Sequence, residues 1–155
     1  MALQGVIGND TRVGFSAASP TTYTRIPQVL DVKFPGLTPD KLDRTVMSSG
    51  NFYQNFQGLN QVSDAEVLIL DDPDEVTSPI LETLRTLHEA GTTVYFAFER
   101  PTNRAKTRFR KTEYQGYISD FVPATPLKDK QTLMIKIVFS DTAFSVYPAG
   151  NPTIV

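Results

Sequence analysis

KTRFRKTEYQGYISDF, residues 106–121, is the stretch whose reading decides the fold of this chain. Its first half sets Arg108, Arg110 and Lys111 around Phe109, and its second half sets Tyr114, Tyr117 and Phe121 around Gly116. The run is rich in aromatic and β-branched residues, carries no helical spacing of apolar positions and reads as one oversized strand. A typical strand has about 5 to 6 residues, so a run of this length overhangs its neighbours and needs a partner for the excess.

Working outward, residues 92–98 alternate, with Val94, Phe96 and Phe98 on one side and Thr93, Tyr95 and Ala97 on the other. The turn material Arg100, Pro101, Thr102 and Asn103 then joins this strand to the long one as a hairpin. Upstream, Ser78 and Pro79 start a helix that ends at Gly91, with Ile80, Leu81, Leu84 and Leu87 as its apolar stripe. Residues 61–71 form a strand with Ala65, Val67 and Ile69 on one face and Asp64, Glu66, Leu68 and Leu70 on the other. Further strands are expected at 11–18, 23–26 and 29–34, the last with Leu30, Val32 and Phe34 sharing a side. Downstream, residues 131–140 place Leu133, Ile135, Ile137 and Phe139 on one face, and a separate last strand is expected at 143–147. About seven strands and one flanking helix make a mostly β (α+β) domain, a β-sandwich or open barrel.

Residues 35–59 break this rhythm, with turn signals at Pro35-Gly36 and Ser49-Gly50 and only a short strand-like piece at 44–47. Loops beyond about 12 to 15 residues are uncommon in compact domains unless they are functional or disordered. Phe52, Tyr53 and Phe56 point to a binding loop. A single domain over residues 1–155 is expected, with an arm at 1–10, the long loop at 35–59 and a short tail at 148–155.

The charged fraction of 21% and the net charge of −2 exclude a general polyanion binder and a self-repelling disordered chain. The absence of cysteine excludes disulfides, thiolate zinc sites and a cysteine nucleophile. No apolar run approaches the roughly 20 residues of a membrane-spanning helix, and MALQGVIGND lacks the pattern of a signal peptide, so a soluble, unprocessed protein with no membrane partner is expected.

Catalytic chemistry is poorly represented. There is no phosphate-binding glycine loop, nucleophile elbow, HExxH or Cys/His cluster, and His88 is the only histidine. A lone ring near a helix C-terminus serves simply as a favourable cation. Asp71, Asp72, Asp74 and Glu75 lack the ligand spacing of a calcium loop and read as a solvated turn. No catalytic, cofactor or metal site is expected. Arg100, Arg104, Lys106, Arg108, Arg110 and Lys111, with Phe109 and Tyr114 interleaved, have the composition of a single-stranded nucleic-acid surface. The competing reading is a solvated hairpin, or a basic patch that meets the acidic run near Asp72 of another subunit.

Four segments in sequence order resemble the tail tube proteins of long-tailed (siphovirus-like) bacteriophages, the family that includes the lambda tail tube protein. They are TTYTRIPQVLDVKFP, LDRTVMSSGNFYQNFQGLNQVSDAEVLILDDPD, a helix closing with HEAGTTVYFAF, and FRKTEYQGYISDFVPATPLKDKQTLMIKIVFSD. The matching positions are Thr45, Ser49, Gly50, Gly58, Leu59, Asp72, Pro73, Gly91, Gly116, Pro123 and Pro126. Two departures from the family are that no appended immunoglobulin-like domain, as some relatives have, is expected, and that Phe139, Ser140 and Asp141 stand where the family commonly has a glycine turn.

The resemblance implies a structural role without catalysis, in which subunits form six-fold rings whose sheets join edge to edge and whose stacking makes a DNA channel. It implies ring and stacking contacts through Asp43, Arg44, Ser49, Gly50, Asn51, Phe52, Tyr53 and Phe56 of the long loop, and through Arg104, Arg108 and Arg110. The N-terminal arm and the C-terminal tail would add stacking contacts, and Asp64 and Glu66 would line a polar, negative lumen. Implied partners are further copies of the chain, the tape measure, tail terminator and distal tail proteins, and double-stranded DNA passing without specific binding. The implied location is the virion tail, assembled in the host cytoplasm. Contractile tubes, secretion tubes and tail-completion proteins share the same fold.

Overall fold

The computed structural model describes residues 11–18, 20–43, 55–71 and 77–154. In chain order these form β1 (Arg12–Ser16), β2 (Thr24–Arg25), β3 (Val29–Lys33), β4 (Leu37–Asp43), β5 (Asn55–Val62), β6 (Ala65–Leu70), α1 (Thr77–Ala90), β7 (Val94–Pro101), β8 (Phe109–Ala124) and β9 (Thr132–Val146). Seven strands make one antiparallel sheet in the order β2-β1-β7-β8-β9-β6-β3, and β4 pairs with β5 as a separate ribbon.

That sheet is closed into an open barrel by the chain itself. Its outermost strands, β2 and β3, are consecutive in sequence and joined by residues 26–28 alone. A flat sheet of this width would hold its edges about 29 Å apart at roughly 4.8 Å per strand, whereas so short a linker spans no more than about 14 Å. The sheet therefore curls until its edges nearly meet. The linker bonds to both sides of the gap, Ile26 N donating to Val13 O at 2.8 Å and Gln28 O accepting from Leu70 N at 3.0 Å. Gln28 takes a positive φ of 55° to make the corner. Across the interior, the rings of Phe34 and Phe98 meet edge to face at 5.7 Å.

The inward residues are those that alternation selects: Val94, Phe96 and Phe98 from β7, Ala65, Val67 and Ile69 from β6, and Leu133, Ile135 and Ile137 from β9. Helix α1 plugs the barrel with Leu81 and Leu84, while Ile80 and Leu87 pack at the margin. Tyr114 and Ile118 of β8 complete the core. The hairpin of β7 with β8 forms as expected, although β8 begins at Phe109 and leaves Lys106 and Arg108 in the connecting turn.

Three local expectations are corrected. In β3 a register shift between Val29 and Asp31 rephases the strand, so Val29 packs with Val32 and Phe34 on the core and Leu30 is left 42% exposed. Strict alternation fails wherever a bulge inserts a residue. The two strands expected after residue 130 are one continuous β9, because β8 is long enough to template its whole length through two bulges. Both flanks of the expected loop at 35–59 are strands, paired from Leu37↔Val62 to Asp43↔Asn55. The strand-like piece at 44–47 and the arm at 1–10 lie outside the described residues.

Candidate assembly surfaces

Four surfaces carry the residues that sequence reading singled out, or should have. The ribbon is the first. Among the described residues β4 and β5 pair only with each other, and the ribbon is tied at its base by reciprocal bonds between Gly36 and Ser63. Leu37 and Leu59 on it are 50% and 82% exposed. Asp43 ends β4 and Phe56 lies near the start of β5, at the ribbon's far end. Arg44, Ser49, Gly50, Asn51, Phe52 and Tyr53 lie outside the described residues.

The second surface is the tip of the β7–β8 hairpin. Asn103 organises it, its Oδ1 accepting from Thr107 N at 3.0 Å and Arg108 N at 3.3 Å while its Nδ2 donates to Thr107 Oγ1 at 2.9 Å. Thr102 N donates to Arg108 O at 2.9 Å, and Lys106 takes a positive φ of 55°. Arg104 is exposed on this turn. Arg108 turns back to donate to Ala149 O at 3.2 Å, and Lys111 sits 3.8 Å from Glu113 and 4.9 Å over the Tyr147 ring. Those two cations are therefore engaged within the subunit. Arg110 is exposed and lies directly opposite the exposed Arg100 in the ladder. Like charges so placed repel, so this pair favours an anionic partner.

The third surface is the outward face of β8, β9, β6 and β3, opposite the core. Its cross-strand neighbours are Asp120↔Lys136, Lys136↔Glu66 and Glu66↔Lys33, a row whose charge alternates across four strands. Asp64 pairs with Lys136 at 3.3 Å. With Asp31 the described face carries Asp31, Asp64, Glu66 and Asp120 against Lys33 and Lys136, an acidic excess. Asp64 and Glu66 are thus together, on a different side of the barrel from the core that β6 helps to build.

The fourth surface was missed. The tail at 148–155 is expected to add stacking contacts, and its residues 150–154 strap back across β1, β7 and β8 of their own subunit. Gly150 pairs with Phe109 through two backbone bonds of 2.7 and 2.9 Å. Ile154 is fully buried with Tyr23 and Ala97, over Gly14, where a Cβ would stand 2.9 Å from Tyr23 Cβ. Glu99, at 1% exposure, accepts from Thr153 N at 2.8 Å, Thr153 Oγ1 at 2.6 Å and Ile154 N at 3.3 Å. Arg12 Nη1 donates to Ile154 O at 2.9 Å. The signal in the sequence was Glu99 directly following the apolar run Val94–Phe98, since buried carboxylates need hydrogen-bond donors.

No family model matches the chain, and no curated protein matches it. Solved structures do. The tail of an empty gene transfer agent particle, refined with sixfold helical symmetry, superposes with a TM-score of 0.70 at 12% identity, covering 93% of this chain and 100% of that one. The sixfold-symmetrised baseplate of the anti-feeding prophage gives 0.70 at 6% identity over 95% and 97%. The SPP1 tail tube gives 0.64 at 12% identity over 97% and 81%. The chain has the tail-tube fold. Within that fold the described residues include no group of three or more His, Cys, Asp or Glu side chains placed to hold a metal. His88 of α1 puts Nδ1 3.0 Å from Ile118 O and stacks on Phe121, a packing role at the helix end.

Proposed function

We propose that this protein is a structural subunit of a phage-type tail tube, assembling into rings that stack around a channel for DNA. The observation that carries the reading is the likeness over 93% of the chain to a tail refined with sixfold helical symmetry. The molecule's own geometry agrees. A ribbon paired only with itself is marginal in water, and it gains stability by lying against another copy. Asp43, Arg44, Ser49, Gly50, Asn51, Phe52, Tyr53, Phe56, Arg104, Arg108 and Arg110 are the proposed ring and stacking contacts, with the exposed Arg100 and Arg110 facing an acidic run such as 71–75 of a neighbour. The acidic outward face bearing Asp64 and Glu66 suits a lumen through which DNA slides without adhering. The affiliation with siphovirus tubes, contacts with tape measure, tail terminator and distal tail proteins, residence in the virion tail and assembly in the host cytoplasm belong to the same reading, which requires no catalysis.

Negative-stain microscopy of the purified protein at rising concentration tests it. Rings or tubes of uniform diameter are expected. A protein that stays monomeric in every condition, and is missing from tails of the particle it is encoded with, is not a tube subunit.

A further inference from the structure

We infer that the tip of the β8–β9 hairpin, residues 126–130, seats Leu127 in a pocket beside α1 of a neighbouring copy. The inference rests on the tube reading above and adds a contact to it. The pocket has a volume of about 250 Å³ and lies between α1, the end of β8 and the start of β9. Leu81, Phe121, Pro123 and Leu133 make its apolar wall, and Asp71, Glu82 and Arg85 carry its charge. Helix α1 holds that wall in place. His88 stacks on Phe121, Arg85 sits 5.9 Å over the same ring, and Arg85 Nη1 is 3.0 Å from Glu82 Oε1. An apolar cavity of about 150 Å³ takes up benzene, so the larger one here accommodates the smaller side chain of a leucine.

Leu127 is the most exposed large apolar side chain among the described residues, at 102%. A single exposed apolar residue is ordinary by itself, and it is charge that selects this one as the occupant. The pocket has two acids and one base, Asp71, Glu82 and Arg85. The tip has two bases and one acid, Lys128, Lys130 and Asp129, all exposed. The other exposed leucines lack that complement. Leu37 stands between Gly36 and Thr38, Leu59 between Gly58 and Asn60, and Leu30 beside Asp31, which would bring a like charge to the rim. The tip is also shaped before contact, because Asp129 Oδ1 accepts from Lys130 N at 2.8 Å and Pro126 fixes the backbone just ahead of Leu127.

Tip and pocket both lie where β8 stops and β9 begins. The contact therefore pairs like ends of two subunits and sets them side by side, whereas a head-to-tail stack brings opposite ends together. It joins two different surfaces of one chain, and heterologous contacts of that kind close into rings when the rotation permits. Each subunit then gives one tip and receives one. The contact is made by side chains and uses no strand edge.

The chain's lack of cysteine makes the test direct. Two single-cysteine proteins with tags of different mass, Leu127→Cys and Glu82→Cys, are mixed before assembly and treated with a short bis-maleimide. A mixed dimer on a denaturing gel requires the two residues on different subunits, so a bridge within one chain cannot imitate it. The mixed dimer should form in excess over that from Leu127→Cys with Arg104→Cys, whose arginine is exposed on the other hairpin. If Leu127→Cys itself prevents assembly, Lys128→Cys takes its place with the same expectation. Leu127→Asp should leave the unfolding midpoint unchanged, because the side chain is fully exposed, while raising the concentration at which assembly begins by about tenfold or more. Tubes that form without an excess of the mixed dimer, or at an unchanged concentration for Leu127→Asp, overturn this contact and leave the tube reading standing. Failure of the unmodified protein to assemble at all overturns both.

Discussion

Strands β7 and β5 are each eight residues long, yet they lead different lives. In β7, Val94, Phe96, Ala97 and Phe98 are completely buried, with neighbours on both sides and side-chain layers on both faces. β5 has one neighbour, β4, and its Leu59 is 82% exposed. Apolar burial at about 25 cal/mol per Å² is the main force holding the barrel together. On the ribbon's other strand Leu37 is likewise 50% exposed. Under the proposed function, stability and assembly fall in different parts of the molecule, and substitutions should separate them.

The separation can be broken first in the barrel. Phe96→Ala, at the centre of the core, should cost about 3–5 kcal/mol in denaturant unfolding and remove assembly only by unfolding the subunit. Ile154→Ala should cost about 2–5 kcal/mol, because the strap is part of the barrel's second buried cluster. A stability unchanged by this substitution would show the strap to be dispensable for the fold.

A smaller effect belongs to Tyr114. Burial pushes its hydroxyl above the ordinary phenol value, and Tyr23 is pushed the same way by burial and then by its hydrogen bond to Glu113. A folded-state value raised above the unfolded one means that stability is full below about pH 10 and falls as pH climbs further, because only the unfolded chain ionises there. Tyr114→Phe should soften that fall in pH-dependent unfolding. Near neutral pH it should change stability by less than about 1 kcal/mol, since the hydroxyl has no hydrogen-bond partner among the described residues. The smallest effect on stability is expected in the ribbon. Replacing residues 44–54 by Asn-Gly, a turn suited to joining β4 and β5, should leave unfolding within about 0.5 kcal/mol of the parent while abolishing tubes in micrographs. A large loss of stability would refute the division between the two regions.

Much of the barrel was legible because alternation is a local property. Val94, Phe96 and Phe98, or Ala65, Val67 and Ile69, declare a common face within a few residues, and Leu81, Leu84 and Leu87 declare a helix stripe. Where a bulge intervenes, as in β3, the same rule selects Leu30 in place of Val29. The candidate surfaces were legible in part. The exposed Arg104 and Arg110 sit on the hairpin tip as their spacing suggests, but Arg108 is bound to Ala149 and the hinge of the turn is Asn103. The length of β8 was legible in the sequence, but the partner for its overhang beyond β7 is the equally long β9 of the same subunit, a pairing that no local pattern announces.

The amino-acid sequence by itself determined the strand faces, the helix and the β7–β8 hairpin, since each follows from side-chain periods of two or 3.6 residues within one segment. Tertiary structure alone decided that residues 26–28 close the sheet into a barrel, that Glu99 captures the backbone of Ile154, and that β8 runs past β7 beyond Gly116 with β9 as its neighbour. Those outcomes depend on which strands become neighbours. Pairing joins residues far apart in the chain, and no local period records it.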